Sequence, residues 1–128
     1  MATPRQTIAD QLITDHTLKY SIYPWMYAPT TDIRKPAIAV YRTEVALGDK
    51  LSHAVTIDAY GGKREGEAVE DELDDLLDDI MLSLQRLERV YDIKATRSVF
   101  KDAFHGWSIT CAVSSENVYK TAVLNERP

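Results

Sequence analysis

Cysteine is almost missing from this chain: Cys111 stands alone, so no internal disulfide and no CxxC pair can form, which fits a reducing, cytoplasmic origin. Long apolar runs are missing too. The longest unbroken hydrophobic stretch is Ala37–Tyr41, far short of the roughly 20 residues a membrane helix needs, and the N-terminus shows no basic-then-apolar leader. These absences read as a soluble, untargeted protein. Catalytic signatures are also lacking, with no GxSxG, HExxH or kinase-like set. What is present is a chain of 128 residues in which 45% belong to the hydrophobic set. Such a chain can bury about two-thirds of its unfolded surface as one domain without metal or disulfide support.

Charge is unevenly distributed. The chain holds 15 basic and 20 acidic side chains for a net −5, yet nine of the acids, with no base, lie between Glu65 and Asp79. The rest of the chain is therefore positive by four, and Arg86, Arg89, Lys94, Arg97 and Lys101 outnumber Glu88 and Asp92 in the segment after it. A nucleic-acid reader needs a basic stripe to neutralise phosphates, and here the strongest field has the opposite sign, so sequence-specific DNA binding is not expected. Solvated surface is the plain reading of both segments. The sharper one is that copies meet head to tail, acidic surface against basic surface.

Periodicity supplies the elements. Thr3-Pro4 reads as an N-cap followed by proline at the first helical position, opening a helix to about Thr14 with Ile8 and Leu12 on its apolar stripe. Alternation of Leu18, Tyr20 and Ile22 against Lys19, Ser21 and Tyr23 predicts a strand, stopped by Pro24. Three prolines between Pro24 and Pro36 predict a long loop or edge excursion. Ala37 to Val45 and Ser52 to Tyr60 predict a hairpin turning at Gly48-Asp49. A long helix is predicted from about Glu65 to Val90: Val69, Leu73, Leu76, Leu77, Ile80, Leu84 and Leu87 share one arc, the aspartates lie opposite, and Arg86 and Arg89 suit its C-terminal dipole. Leu82 projects from the middle of the acidic arc, as a lone exposed leucine or as a small contact knob. Strands from Ile93 to Phe100 and Trp107 to Ser114, joined near His105 and Gly106, complete the order α-β-β-β-α-β-β. The expected fold class is α+β: one domain over residues 1–128, with one long and one short helix on one side of a mostly antiparallel sheet. Its ordered core spans about 3–114, and 115–128 form a flexible tail or an assembly arm.

Candidate chemistry is sparse. Gly61-Gly62-Lys63-Arg64-Glu65-Gly66 lies between a strand and a helix, but Glu67 and Ala68 follow where a phosphate loop needs lysine and a hydroxyl, so it reads as a turn. His16, His53, His105 and Cys111 never stand at i, i+3 or i, i+4, and no zinc site is expected. The aspartates of the long helix are spread along a straight rod with no carbonyl-lined loop, which suits only weak ion binding. No catalytic residue, metal or cofactor is expected. The cluster Tyr20, Tyr23, Trp25, Met26 and Tyr27 exceeds what a small core needs. Aromatics and methionine in a loop point to a protein interface, while stacking on single-stranded nucleic acid would require interleaved bases, and few precede Arg34 and Lys35.

Ala37-Ile38-Ala39-Val40-Tyr41, Val55-Thr56-Ile57-Asp58-Ala59-Tyr60, the helix built on Ala68, Leu73, Leu76, Leu77, Ile80 and Leu84, and the two closing strands together resemble the tail-terminator (tail-completion) proteins of long-tailed bacteriophages. The likeness runs from Thr3 to about Val113 and is carried by the order and spacing of elements. It implies a non-enzymatic virion protein, assembled in the host cytoplasm, that forms a hexameric ring, caps the tail tube and offers the surface to which the filled head joins. Implied partners are further copies of the chain, the tail tube protein and head–tail connector proteins, with no membrane and with DNA passing through the ring. On this reading the candidate interface residues are Tyr23, Trp25, Met26, Tyr27, Arg34, Lys35, Leu82, Arg86 and Arg89. Asp71, Asp74, Asp75 and Asp78 become candidates for an acidic lumen that repels DNA. A head–tail connector or neck protein is the nearest rival. A small hydrolase or cation-dependent enzyme, and an acidic regulatory binder of a basic partner, are rivals from other classes.

Overall fold

In the computed structural model, which describes residues 3–27, 35–61, 67–100 and 104–126, the first helix begins as its capping residues dictate. Thr3 Oγ1 accepts from the Gln6 amide at 3.2 Å, Pro4 occupies the first turn, and helix α1 runs Pro4–His16. Ile8, Ala9 and Leu12 are its buried side chains.

The expected strand from Leu18 forms only in part. The amides of Lys19 and Tyr20 both donate to the His16 carbonyl, which closes a turn and leaves Leu18 95% exposed. Amides committed to that turn cannot join a ladder, so strand β1 shrinks to Ser21–Tyr23. It pairs in parallel with β2, Ala37–Ala46, and parallel neighbours need a long connection to return the chain to the same end. That connection is the proline-rich excursion, of which residues 28–34 lie outside the described ones.

The hairpin forms as expected: β2 turns through Leu47, Gly48 and Asp49 into β3, Lys50–Tyr60, with a bulge between Arg42 and Glu44. β3 is the central strand, flanked by β2 and by β5, Phe104–Glu116. The edge beyond β5 is β4, Val90–Phe100. The described sheet therefore has five strands in the order β1-β2-β3-β5-β4, antiparallel except at β1. His105 and Gly106 do not form the last turn. They lie inside β5, pairing with Val99 and Ser98.

Helix α2 spans Glu67–Gln85, five residues short of the predicted end at Val90. Arg86 and Leu87 donate to the Ser83 and Leu84 carbonyls, tightening the last turn, and Ser114 then donates to the Arg89 carbonyl. The backbone is thereby drawn into β4. Leu87 misled the periodicity because it still packs on the core from outside the helix. Arg86 and Arg89 consequently do not sit in the last helical turn, which holds no base.

Both α1 and α2 cover one face of the sheet, making an α+β fold. Their Ile8, Leu12, Leu73, Leu76, Ile80 and Leu84 meet Ile38, Val40, Val55, Ile57, Ile109 and Cys111 in the main core. A smaller cluster on the opposite face joins Ala37, Ala39, Tyr60 and Phe104. Beyond β5, where a tail or arm was expected, a third helix α3 occupies Val118–Glu126 with no buried residue. Asn117 anchors it, donating to the Gly48 carbonyl at 2.7 Å and accepting from the Lys120 amide.

Candidate functional site

Two surfaces stand out, one along a helix face and one at the strand ends. The first is the outward face of α2. Asp71, Asp74, Asp75 and Asp78 are all exposed, and among the described residues their side chains form no ion pair or hydrogen bond, though Asp75 acts on Lys19 and Asp74 on Arg97 at longer range. Asp71, Asp75, Asp78 and Leu82 follow one another at intervals of four, three and four, which places them in a single straight stripe. Leu82, 59% exposed, ends that stripe. The acids on the flanks differ, because each has a partner: Glu70 receives both Arg97 guanidinium nitrogens at 2.9 and 3.0 Å, and Asp79 receives Lys19 at 2.8 Å.

The second surface is a cleft of about 730 Å³ bounded by the start of α1, the far ends of β2, β3 and β5, residues 86–90 and the first turn of α3. Arg42, Arg86 and Arg89 line it, with Glu88 and Glu116. Arg86 is committed to Asp15 at 2.6 Å, whereas among the described residues neither Arg42 nor Arg89 has a carboxylate partner. Arg42 lies only 3.5 Å from His53 Nδ1. Burial, and then the Arg42 charge, push the His53 imidazole below its ordinary pKa, and its Nε2 lies 2.8 Å from Ser115 Oγ. Sequence reasoning found Arg86 and Arg89 but missed Arg42, which the strand order β2-β3-β5-β4 brings to the same cleft.

The aromatic group divides. Tyr20 is core, its hydroxyl donating to Asp79 at 2.5 Å. Tyr23 stacks on Tyr27 with centroids 4.0 Å apart, and both are half-buried against the smaller apolar cluster. Tyr60 donates to the Tyr27 carbonyl at 2.8 Å, and the Arg5 guanidinium donates to that of Pro24. Trp25 and Met26, 52% and 72% exposed, are the members left facing water. Lys35 is exposed, and Arg34 lies outside the described residues.

A polar seam that no motif announced ties α1 to α2. Ser83 is fully buried and donates to Asp15 Oδ2 at 2.7 Å, while His16 Nε2 lies 3.0 Å from Ser83 Oγ and 3.2 Å from the Asp79 carbonyl. A carbonyl can only accept, so Nε2 carries the proton. It therefore cannot take one from Ser83, and this Ser-His-Asp group lacks the arrangement of a nucleophilic triad. Hydrogen bonds from Gln11 and Ser83, with Arg86 close by, hold the Asp15 carboxyl down to about 2. Burial would raise the Asp79 carboxyl, but Lys19 and Tyr20 outweigh it and keep it low. The one available signal was a serine interrupting the apolar face of α2.

Among the described residues no three His, Cys, Asp or Glu side chains are grouped to hold a metal ion, and no helix is long and apolar enough to cross a membrane. Compared with known protein families and with curated proteins, the chain matches none.

Proposed function

We propose that this chain is a structural subunit that joins copies of itself head to tail, in the manner of the tail-terminator proteins it resembles, forming a ring that caps a phage tail tube and presents the surface for head joining. The observation that supports this is an exposed aspartate stripe on α2, in line with the exposed Leu82 and set apart from a cleft that carries Arg42 and Arg89. Surfaces that are complementary but not identical associate heterologously, and heterologous contacts close into rings when the rotation allows. In such a ring the acidic stripe turned to the lumen would repel DNA; turned to the seam it would meet the arginines of the next copy. Leu82, an apolar side chain in line with the aspartates, favours the seam. The role is tested by locating the protein with a specific antibody in purified particles. A terminator labels headless tails at one end, whereas label confined to tailless heads means a neck protein and overturns the proposal.

A further inference from the structure

We infer that the cleft at the strand ends is a binding site for a small uncharged molecule with an apolar body and a hydrogen-bond acceptor at one end; this goes beyond the ring reading and does not rest on it. The cleft's volume of about 730 Å³ lies within the roughly 300–1,000 Å³ of small-molecule sites, which combine apolar walls with a few convergent polar groups. Both are present. Leu51, Leu87, Val90 and Val113 supply the apolar walls, and Val118 and Tyr119 from the first turn of α3, 42% and 59% exposed, complete the lining.

The polar groups offer donors. A guanidinium can only donate, so the contact with Arg42 at 3.5 Å makes His53 Nδ1 an acceptor and leaves the ring proton on Nε2. Nε2 then donates to Ser115 Oγ at 2.8 Å, and the Ser115 hydroxyl proton has no acceptor among the described residues. His53 is 3% exposed, which fixes the pair in place. Because His53 gives Ser115 a proton and cannot take one, the pair is no nucleophile and base; it can bind a molecule without cleaving it. Charge decides the class of that molecule. Glu88 and Glu116 line the cleft beside Arg42 and Arg89, and Arg86 is taken by Asp15 at 2.6 Å. An anion drawn to the arginines meets the two glutamates, and a cation meets the reverse, so neither sign is selected. The Ser115 hydroxyl and the Arg42 N–H groups, sharing the cleft with apolar walls, select a neutral acceptor: a ketone, ester or amide oxygen on an aliphatic or aromatic body.

Photolabelling of the full chain with benzophenone, which is uncharged, apolar and carries one carbonyl acceptor, tests this. The comparison is 4-benzoylbenzoate, the same body bearing a carboxylate. Peptide mass spectrometry after irradiation should place benzophenone saturably on residues 86–90 or 113–119, and the carboxylate should need about tenfold more for half-saturation, since its charge must be desolvated beside Glu88 and Glu116. Ser115→Ala and Arg42→Gln should each raise the half-saturating benzophenone concentration about fivefold, the loss of one hydrogen bond. Lys94→Gln, on the β4 edge and outside the cleft lining, should leave it unchanged. Circular dichroism establishes that the variants are folded, and Arg42→Gln, at an exposed position, serves alone if Ser115→Ala unfolds the chain. Labelling that never saturates, or that saturates elsewhere on the chain, overturns the site. A carboxylate that binds as tightly as benzophenone overturns the class of molecule, and Ser115 and Arg42 variants that bind like the unmodified chain overturn the role of the donors. Each of these failures leaves the ring reading standing, because that reading is judged by association of copies.

Discussion

Replacing Gly106 with alanine should destabilise the fold more than any other single methyl addition at a described glycine. A Cβ at that position in β5 would lie 1.9 Å from the Ala59 carbonyl oxygen, 3.0 Å from its carbon and 3.0 Å from the Phe100 ring. Real Cβ contacts do not come closer than 3.0 Å, so the backbone must open by more than an ångström. It has little room to do so, because β3 is paired on both sides, to β2 and to β5. Overpacking against a fixed obstacle costs about 1–3 kcal/mol, and the immobile backbone puts Gly106→Ala near the upper figure, about 3 kcal/mol. Urea unfolding followed by tryptophan fluorescence reads this well, since Trp107 Nε1 donates to the Leu73 carbonyl across the sheet–helix layer. With a slope of about 2 kcal/mol per molar, the midpoint should fall by about 1.5 M. Gly48→Ala is the control: its Cβ would meet only the Lys50 carbonyl, at 3.5 Å, and should change stability by less than about 0.5 kcal/mol. Equal midpoints for the two variants would refute the strand register.

Three further outcomes follow from the core and the polar seam. Ser83→Ala removes a buried donor to the Asp15 carboxylate and should cost about 1.5–3 kcal/mol in the same urea assay; a neutral result would mean the seam does not clamp α1 to α2. The Asp15 carboxyl is depressed from 3.8 to about 2 in the folded chain, so its stabilising contribution is complete above the ordinary value and is lost as pH falls through the folded one. Asp15→Asn should therefore flatten the acid limb of stability against pH, and an unchanged limb would contradict the assignment. Burial pushes the Cys111 thiol up to about 11; a disulfide reagent at about pH 8 should label it only as the chain unfolds, and prompt stoichiometric labelling of the native protein would contradict its burial.

Elements with a strong local code were readable from sequence. Thr3-Pro4 announced α1, the alternation around Val55 and Ile109 announced two strands, and the apolar arc of Leu73, Leu76, Ile80 and Leu84 announced α2. Failures occurred where local pattern and tertiary demand diverge. Leu18, Tyr20 and Ile22 alternate like a strand, but the amides of Lys19 and Tyr20 are taken by the His16 carbonyl. Leu87 keeps helical phase although the helix has ended, because a side chain can reach the core from a turn. Helix α3 buries nothing and so carries no amphipathic stripe to reveal it. At the candidate site the acids and Leu82 were visible, being contiguous on one helix. Joining Arg42 to Arg89 required strand pairing across the whole sheet, which no spacing encodes. Tyr23 and Tyr27 were grouped with Trp25 and Met26 by composition alone, whereas packing against Tyr60 and Ala39 separates them.

Self-association through opposite charges is the claim on which the functional account stands. Sedimentation velocity of the unmodified chain, over a range of concentrations at low and at roughly 1 M salt, tests it most directly, since the Debye length shrinks to about 3 Å at the higher value. One discrete species of ring-like mass is expected at low salt, dissociating at high salt. A monomer under both conditions, or an assembly that tightens as salt is added, would contradict it.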